Sequence, residues 1–100
     1  MNTRKLYSAA DHAKASSVHV SALWQVRSYG YGQAITVHNR QDNTSLGIEG
    51  PDAYAVLAYA DAMIEQYPTT PRDAIWQAVW RDFDMDEHAR PHKVAPVEFV

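Results

Sequence analysis

The residues with the clearest potential for chemistry are acids and histidines close together near the C-terminus. They are Asp84, Asp86, Glu87, His88 and His92. In a continuous helix, Asp84, Glu87 and His88 would share a face, with His92 one turn further on. Two histidines four residues apart and a carboxylate could hold zinc. Arg90-Pro91 interrupts this spacing and no further apolar residue shields the cluster, which favours a solvated, charged helix end over a metal site.

Other reactive arrangements fail on spacing or on residue type. Asp82, Asp84 and Asp86 alternate as in a calcium loop, but Glu87 and Lys93 stand where that loop needs glycine and glutamate. The chain has no cysteine, which excludes disulfides, thiolate metal sites and a cysteine nucleophile. No serine lies in a Gly-x-Ser-x-Gly turn. The sequence therefore predicts a protein that is not an enzyme and that uses no cofactor.

Aromatic residues offer a different kind of site. On a helical wheel Tyr54 lies away from the apolar face, together with Ala58, Asp61 and Glu65. An exposed ring would then lie beside two carboxylates with no basic neighbour on the helix, although a half-exposed tyrosine without a function would look the same. Tyr29 and Tyr31 flank the glycines of Tyr29-Gly30-Tyr31-Gly32 and are expected to be exposed at a hairpin turn. The predicted protein-binding residues are Tyr54, Asp61, Glu65, Tyr29 and Tyr31.

Three strands are predicted to precede the helices. Residues 18–28 alternate with period two, which places Val18, Val20, Trp24 and Val26 on one face. Further strands are predicted at residues 33–38 and 44–48, which completes an antiparallel meander. His19 and His38 would lie on the polar face of neighbouring strands, where they could face each other.

Helical periodicity begins at Gly50-Pro51, since proline suits the first helical position. Helices are predicted at residues 51–67 and 71–84, the second capped by Thr70, and a short helix at 8–15. The predicted core combines apolar residues of the sheet and both helices: Trp24, Val26, Ile35, Leu57, Ile64, Ile75, Trp76, Val79, Trp80 and Phe83. Residues 1–7 and 86–100 are expected to be extended or flexible, with 94–100 available to pair as an edge strand.

This α-β-β-β-α-α order predicts a single α+β domain over residues 1–100, in which a three-stranded antiparallel meander packs on two C-terminal helices as a two-layer sandwich. Over residues 8–67 the element order resembles that of double-stranded-RNA-binding domains. That family carries lysines at the start of the helix after the third strand. This chain has Gly50-Pro51-Asp52 there, and an acid would repel phosphate, so the resemblance extends to topology and not to RNA binding.

Charge is distributed unevenly along the chain. Residues 51–88 contain eight acids and two arginines, whereas the first fifty residues have a net charge of +2. A net charge of −3 and a pI near 5.9 disfavour direct nucleic-acid binding. No targeting segment or membrane span is predicted, and we expect a cytoplasmic protein.

These features favour a small protein-binding module that acts as an inhibitor or adaptor of a larger protein or complex. Its size and composition are typical of phage or mobile-element accessory proteins with anti-defence roles, such as anti-CRISPR proteins. Its acidic surface could block a basic nucleic-acid-binding surface on a partner complex. The alternatives are a homodimeric structural or regulatory protein, which solution mass would distinguish, and a small metal-binding protein that uses His88 and His92.

Overall fold

The structure, a computed structural model, describes residues 6–7, 16–29, 33–92 and 97–98. It is an α+β fold in which an antiparallel sheet packs against two helices. The helix predicted at residues 8–15 and the turn around Gly30 and Gly32 lie outside the described residues.

The main sheet has five antiparallel strands in sequential order. They are β2 (Ser16–Val20), β3 (Trp24–Tyr29), β4 (Ala34–Asn39), β5 (Thr44–Glu49) and β6 (Arg90–Pro91). A separate two-residue ladder pairs β1 (Leu6–Tyr7) with β7 (Val97–Glu98). The predicted second and third strands are confirmed as β4 and β5, whereas the predicted total of three strands is wrong.

The strand predicted at residues 18–28 is two strands joined by a tight turn at Ser21–Leu23. The Ser21 N–H donates to the Trp24 carbonyl at 2.8 Å, and the Ser21 hydroxyl accepts the backbone N–H groups of Leu23 and Trp24, each at 3.1 Å. A serine that bonds its neighbours' backbone in this way competes with strand pairing. The apolar alternation runs unbroken through the turn, so it could not reveal where the first strand ends.

The turn and a bulge change which side chains β2 directs inward. The register of β2 against β3 shifts between Ser17 and His19, and His19 points toward the helices. Val18 and Val20, predicted to be inward, are 42% and 55% exposed. A bulge adds one residue to a strand, and one residue is enough to reverse the face that each side chain occupies.

The two long helices begin where proline predicts. Helix α1 spans Pro51–Gln66 and α2 spans Arg72–Asp82. Gly50 precedes α1 with a φ of 70° and a ψ of −145°, a conformation that glycine alone adopts without strain. Pro71 occupies the cap of α2 without a side-chain cap hydrogen bond, so the predicted cap by Thr70 is wrong. Neither helix in the described ranges has the length and apolar character needed to cross a membrane.

The core lies between the sheet and the helices. Trp24, Val26 and Ile35 from the sheet, and Ile75, Trp76, Val79 and Trp80 from α2, are buried as predicted. Leu57 and Ile64 are only partly buried and pack at the edge of the core. Helix α1 instead buries Ala53, Val56 and Ala60, small side chains that allow a helix to pack closely.

Phe83, predicted to be a core residue, lies at the surface. Helix α2 ends at Asp82, and Asp84 adopts a left-handed conformation with a φ of 51°. The chain reverses there into a 3₁₀ turn, Met85–Glu87, which places Met85 in the core. Phe83 is left 36% exposed.

Candidate functional site

The outer face of α1 presents the predicted combination of a ring and carboxylates. Tyr54 is 71% exposed, and Ala58, Asp61 and Glu65 on the same face are also exposed. These residues recur at intervals of three and four, so they lie in a row along the helix. We call this row the α1 face. Its geometry follows from the burial of Ala53, Val56 and Ala60 on the opposite side of α1.

A second aromatic group, on a different side of α1 from the α1 face, was missed by sequence reasoning. The Tyr59 hydroxyl donates to Asp82 Oδ2 at 2.5 Å, and its ring meets the Phe83 ring edge-on with centroids 5.3 Å apart. Arg81 Nε donates to the other Asp82 oxygen at 3.1 Å. The group therefore joins α1 to the end of α2. The signal that could have revealed it is Tyr59 lying off the apolar arc of its helix.

The Tyr59–Asp82 contact changes the acidity of both partners. The hydrogen bond to Asp82 raises the pKa of the Tyr59 phenol, because ionised tyrosine would lose its proton donor and face a carboxylate. The same bond, followed by that of Arg81, lowers the pKa of Asp82. Tyr59 therefore remains a neutral donor and Asp82 a charged acceptor at neutral pH.

The negative charge of residues 51–88 lies mostly on exposed side chains. Six of the eight acids are exposed and have no ion pair within the described residues, namely Asp52, Asp61, Glu65, Asp84, Asp86 and Glu87. The other two, Asp73 and Asp82, hydrogen-bond to neighbouring side chains. The helices and the 3₁₀ turn thus present a mainly acidic surface.

The hairpin tyrosines do not join the α1 face as an exposed site. Tyr29 is the last residue of β3 and is only 4% exposed, so the prediction that it is exposed is wrong. The strand continues through Tyr29, which pairs with Ala34 in β4. Tyr31 lies outside the described residues.

The histidines are dispersed among unrelated contacts. His38 stacks on His92 with ring centroids 3.6 Å apart, and its Nε2 is 3.0 Å from Asn43 Oδ1. His38 therefore does not face His19. His88 is exposed and lines a cavity beside Phe83 and Met85. No group of three or more histidine, aspartate or glutamate side chains suited to a metal occurs in the part of the chain that the structure describes.

His19 instead helps to tie the first hairpin to α2. Its Nε2 donates to Asp73 Oδ1 at 2.8 Å, and the Ser21 hydroxyl donates to the same oxygen at 2.6 Å. These two bonds, that of Ser21 first, lower the pKa of the Asp73 carboxyl. Asp73, in the first turn of α2, therefore holds the β2–β3 turn against that helix.

This pKa shift predicts a dependence of stability on pH. A carboxyl whose pKa is lower in the folded state stabilises the fold above its unfolded pKa of about 4 and loses that effect as pH falls through the folded pKa. Asp73→Asn should therefore be less stable than wild type at neutral pH, with the difference shrinking below about pH 4. Urea unfolding across this pH range measures it. Asp42→Asn, on an exposed turn, is the control; a constant deficit of Asp73→Asn at all pH values would contradict the prediction.

Comparisons with protein-family models, curated proteins and solved structures found no significant match to this chain.

Proposed function

We propose that this protein is a non-enzymatic protein-binding module that uses the acidic α1 face to cover a basic surface of its partner. The observation that carries the proposal is the exposed Tyr54 ring in a row with Asp61 and Glu65, neither of which has a basic partner in the described residues. Tyrosine is one of the residue types in which interface hot spots are enriched. A row of acids along one helix complements a lysine- or arginine-rich surface.

The exposed rings are concentrated in the helix layer, to which the α1 face belongs. Among residues 16–29 and 33–92, the exposed large aromatic side chains belong to the helices or their ends: Tyr54, Tyr59, Tyr67 and Phe83. Exposed rings contribute contact area at low conformational cost, and tyrosine adds a hydrogen-bonding group. Among residues 16–29 and 33–92, the exposed large aliphatic side chains lie in β2 and the turn that follows it. The helix layer therefore has the composition of a protein interface.

A basic nucleic-acid-binding channel is the partner surface that an acidic face of this kind would block. The chain would then act by occlusion, as an inhibitor of a nucleic-acid-binding complex. This mode of action suits an accessory protein of a phage or mobile element directed against host defence, of the anti-CRISPR kind. A cytoplasmic location follows from such a target.

A homodimer is the second candidate, and one observation favours it. Val18 and Val20 on the edge strand β2, and Leu23 in the following turn, form an exposed aliphatic group. Edge strands with exposed apolar side chains are prone to pair with a second copy. Sedimentation equilibrium distinguishes the two candidates. A wild-type dimer that Val20→Lys converts to a monomer would support the homodimer, and a monomeric wild-type protein would exclude it.

Charge reversal and removal of the Tyr54 ring on the α1 face should affect different rate constants of partner binding. The partner would first be captured from a host lysate, and its association and dissociation rates would then be measured on a surface. The double variant Asp61→Lys/Glu65→Lys should slow association about tenfold at low salt, because peripheral charges act mainly on the association rate. Tyr54→Ala should instead speed dissociation by about tenfold, as loss of a hot-spot ring costs at least 1–2 kcal/mol.

The control for these variants is Asp42→Lys, an equal charge change in the exposed turn before β5. It should leave both rates within about twofold of wild type, since isolated surface charges contribute little. If both α1-face variants retain wild-type kinetics with an intact circular dichroism spectrum, the α1 face is not the binding surface.

A further inference from the structure

Most of strand β5 lies at an open edge of the main sheet. Strand β6 pairs with β5 only at Thr44 and Ser45. On that side, Leu46–Glu49 has no strand partner among the residues that the structure describes. The Gly50 N–H donates to the Gln33 carbonyl at 2.7 Å, so the backbone of Gly50 faces β4. Because backbone groups alternate in direction along a strand, those of Gly47 and Glu49 face outward.

A cavity of about 320 Å³ opens beside this free edge. It lies between β5, the first turns of α1 and the segment 83–88. Its apolar lining includes Leu46, Ile48, Val56, Phe83 and Met85, with His88 at one side. Leu46 and Ile48 pair with Val37 and Ile35 of the core face, so the cavity is on the helix side of the sheet. Small-molecule pockets begin at about 300 Å³, so this space suits one or two side chains of an extended segment.

The acids around the cavity favour a positively charged binding segment. Glu49 and Asp52 line it, and the wall segment also carries exposed Asp84, Asp86 and Glu87. Among the described residues, no lysine or arginine lines the cavity and none forms an ion pair with these five acids. A second copy would bring the same acids to the shared edge, where like charges oppose strand pairing. A segment with lysine or arginine beside an apolar residue has the complementary charge.

We propose that the free part of β5, Leu46–Glu49, binds an extended, basic segment of a partner protein by strand addition. The backbone of the added strand bonds to Gly47 and Glu49 and continues the line of β6. One apolar side chain enters the cavity, and neighbouring lysine or arginine side chains face Glu49 and Asp52. Strand addition of this kind takes affinity from backbone hydrogen bonds and specificity from pockets for alternate side chains.

This site goes beyond the function proposed above, because it is separate from the α1 face and specifies the form of the bound segment. It does not require Tyr54, Asp61 or Glu65. A partner with a basic surface and a basic extended segment could contact both sites at once. Binding at one site would then raise the effective concentration of the partner at the other site and increase the overall affinity.

Selection from a displayed library of random peptides tests the proposal without knowledge of the partner. Peptides of about eight residues cover Leu46–Glu49 and its flanks, since each residue of a strand opposes one residue of its neighbour. Selection against the wild-type chain should enrich peptides that combine lysine or arginine with one alternating apolar position. In NMR titrations these peptides should shift the amide signals of Gly47 and Glu49.

Two variants and one control locate the binding site. Ala55 is exposed and lines the cavity, so Ala55→Phe fills the space without entering the core and should weaken the selected peptides about tenfold or more. Glu49→Lys should weaken them by about fivefold, the upper range for exposed ion pairs. Asp42→Lys, with the same charge change in the exposed turn before β5, should have no effect, and circular dichroism verifies the fold of each variant.

Several outcomes would overturn the proposal. They are enrichment of no peptide, enrichment of peptides without basic residues, and binding that Ala55→Phe leaves unchanged. Peptides weakened by Tyr54→Ala and not by Ala55→Phe would support the α1 face and reject the β5 edge. Concentration-dependent shifts of Gly47 and Glu49 in the peptide-free protein would assign the edge to a second copy instead.

Discussion

Replacing Trp80 with alanine is expected to lower the free energy of unfolding by about 3–5 kcal/mol, the usual cost of truncating a buried large ring. Trp80 on α2 is 5% exposed, and its ring centroid lies 5.3 Å from that of Trp24 on β3. The pair joins the two layers of the fold. A domain of this size has only about 5–15 kcal/mol of stability in total, so the variant should be near the limit of folding.

Urea unfolding followed by circular dichroism measures this change. Tyr54→Ala is the matched control, since it also removes an aromatic ring but from a side chain that is 71% exposed. That control should change the free energy of unfolding by less than about 0.5 kcal/mol. A cost below 1 kcal/mol for Trp80→Ala would show that the ring is not part of the core.

Gly50→Ala is expected to cost about 1–3 kcal/mol, because a side chain at a positive φ with an extended ψ is strained. Gly50 joins β5 to α1 with a φ of 70°, and a Cβ added there would meet no atom within 4 Å. The cost would therefore come from the backbone alone. The same substitution would also remove conformational freedom from the unfolded chain, which offsets up to about 1 kcal/mol of the loss.

Gly47→Ala provides the comparison for Gly50→Ala. Gly47 lies within β5 and does not have a positive φ. Alanine at such a position should leave stability unchanged or raise it slightly. Equal destabilisation by the two substitutions in urea unfolding would contradict the assignment of the cost to the φ of Gly50.

The sequence predicted those parts of the fold that depend on regular periodicity. The two helices, strands β4 and β5, and the burial of Trp24 and Trp80 followed from spacing and from proline positions. The exposure of Tyr54, Asp61 and Glu65 also followed from spacing, because the wheel of one uninterrupted helix fixes which side faces away from the core. Whether this exposed row binds a partner is a separate question that periodicity does not address.

The errors occur where a local hydrogen bond or a single unusual dihedral angle redirects the chain. The hydrogen bonds of the Ser21 hydroxyl end β2 within a continuous alternating pattern. The left-handed conformation of Asp84 turns the chain so that Met85, and not Phe83, is buried in the core. Neither event changes the hydrophobic pattern, which is the main signal for secondary structure. The cavity beside β5 was missed for the same reason, since its wall is formed by the segment that Asp84 redirects.

The burial of all three tryptophans determines what the intrinsic fluorescence of this protein can report. Trp24, Trp76 and Trp80 are all shielded from water, whereas the exposed aromatic side chains include tyrosines and Phe83. The native emission should therefore lie at short wavelength and shift to the red only when the layer between sheet and helices opens. A partner that docks on the intact fold should leave the emission maximum of this chain unchanged, and a red shift on mixing would identify a partner that unfolds it.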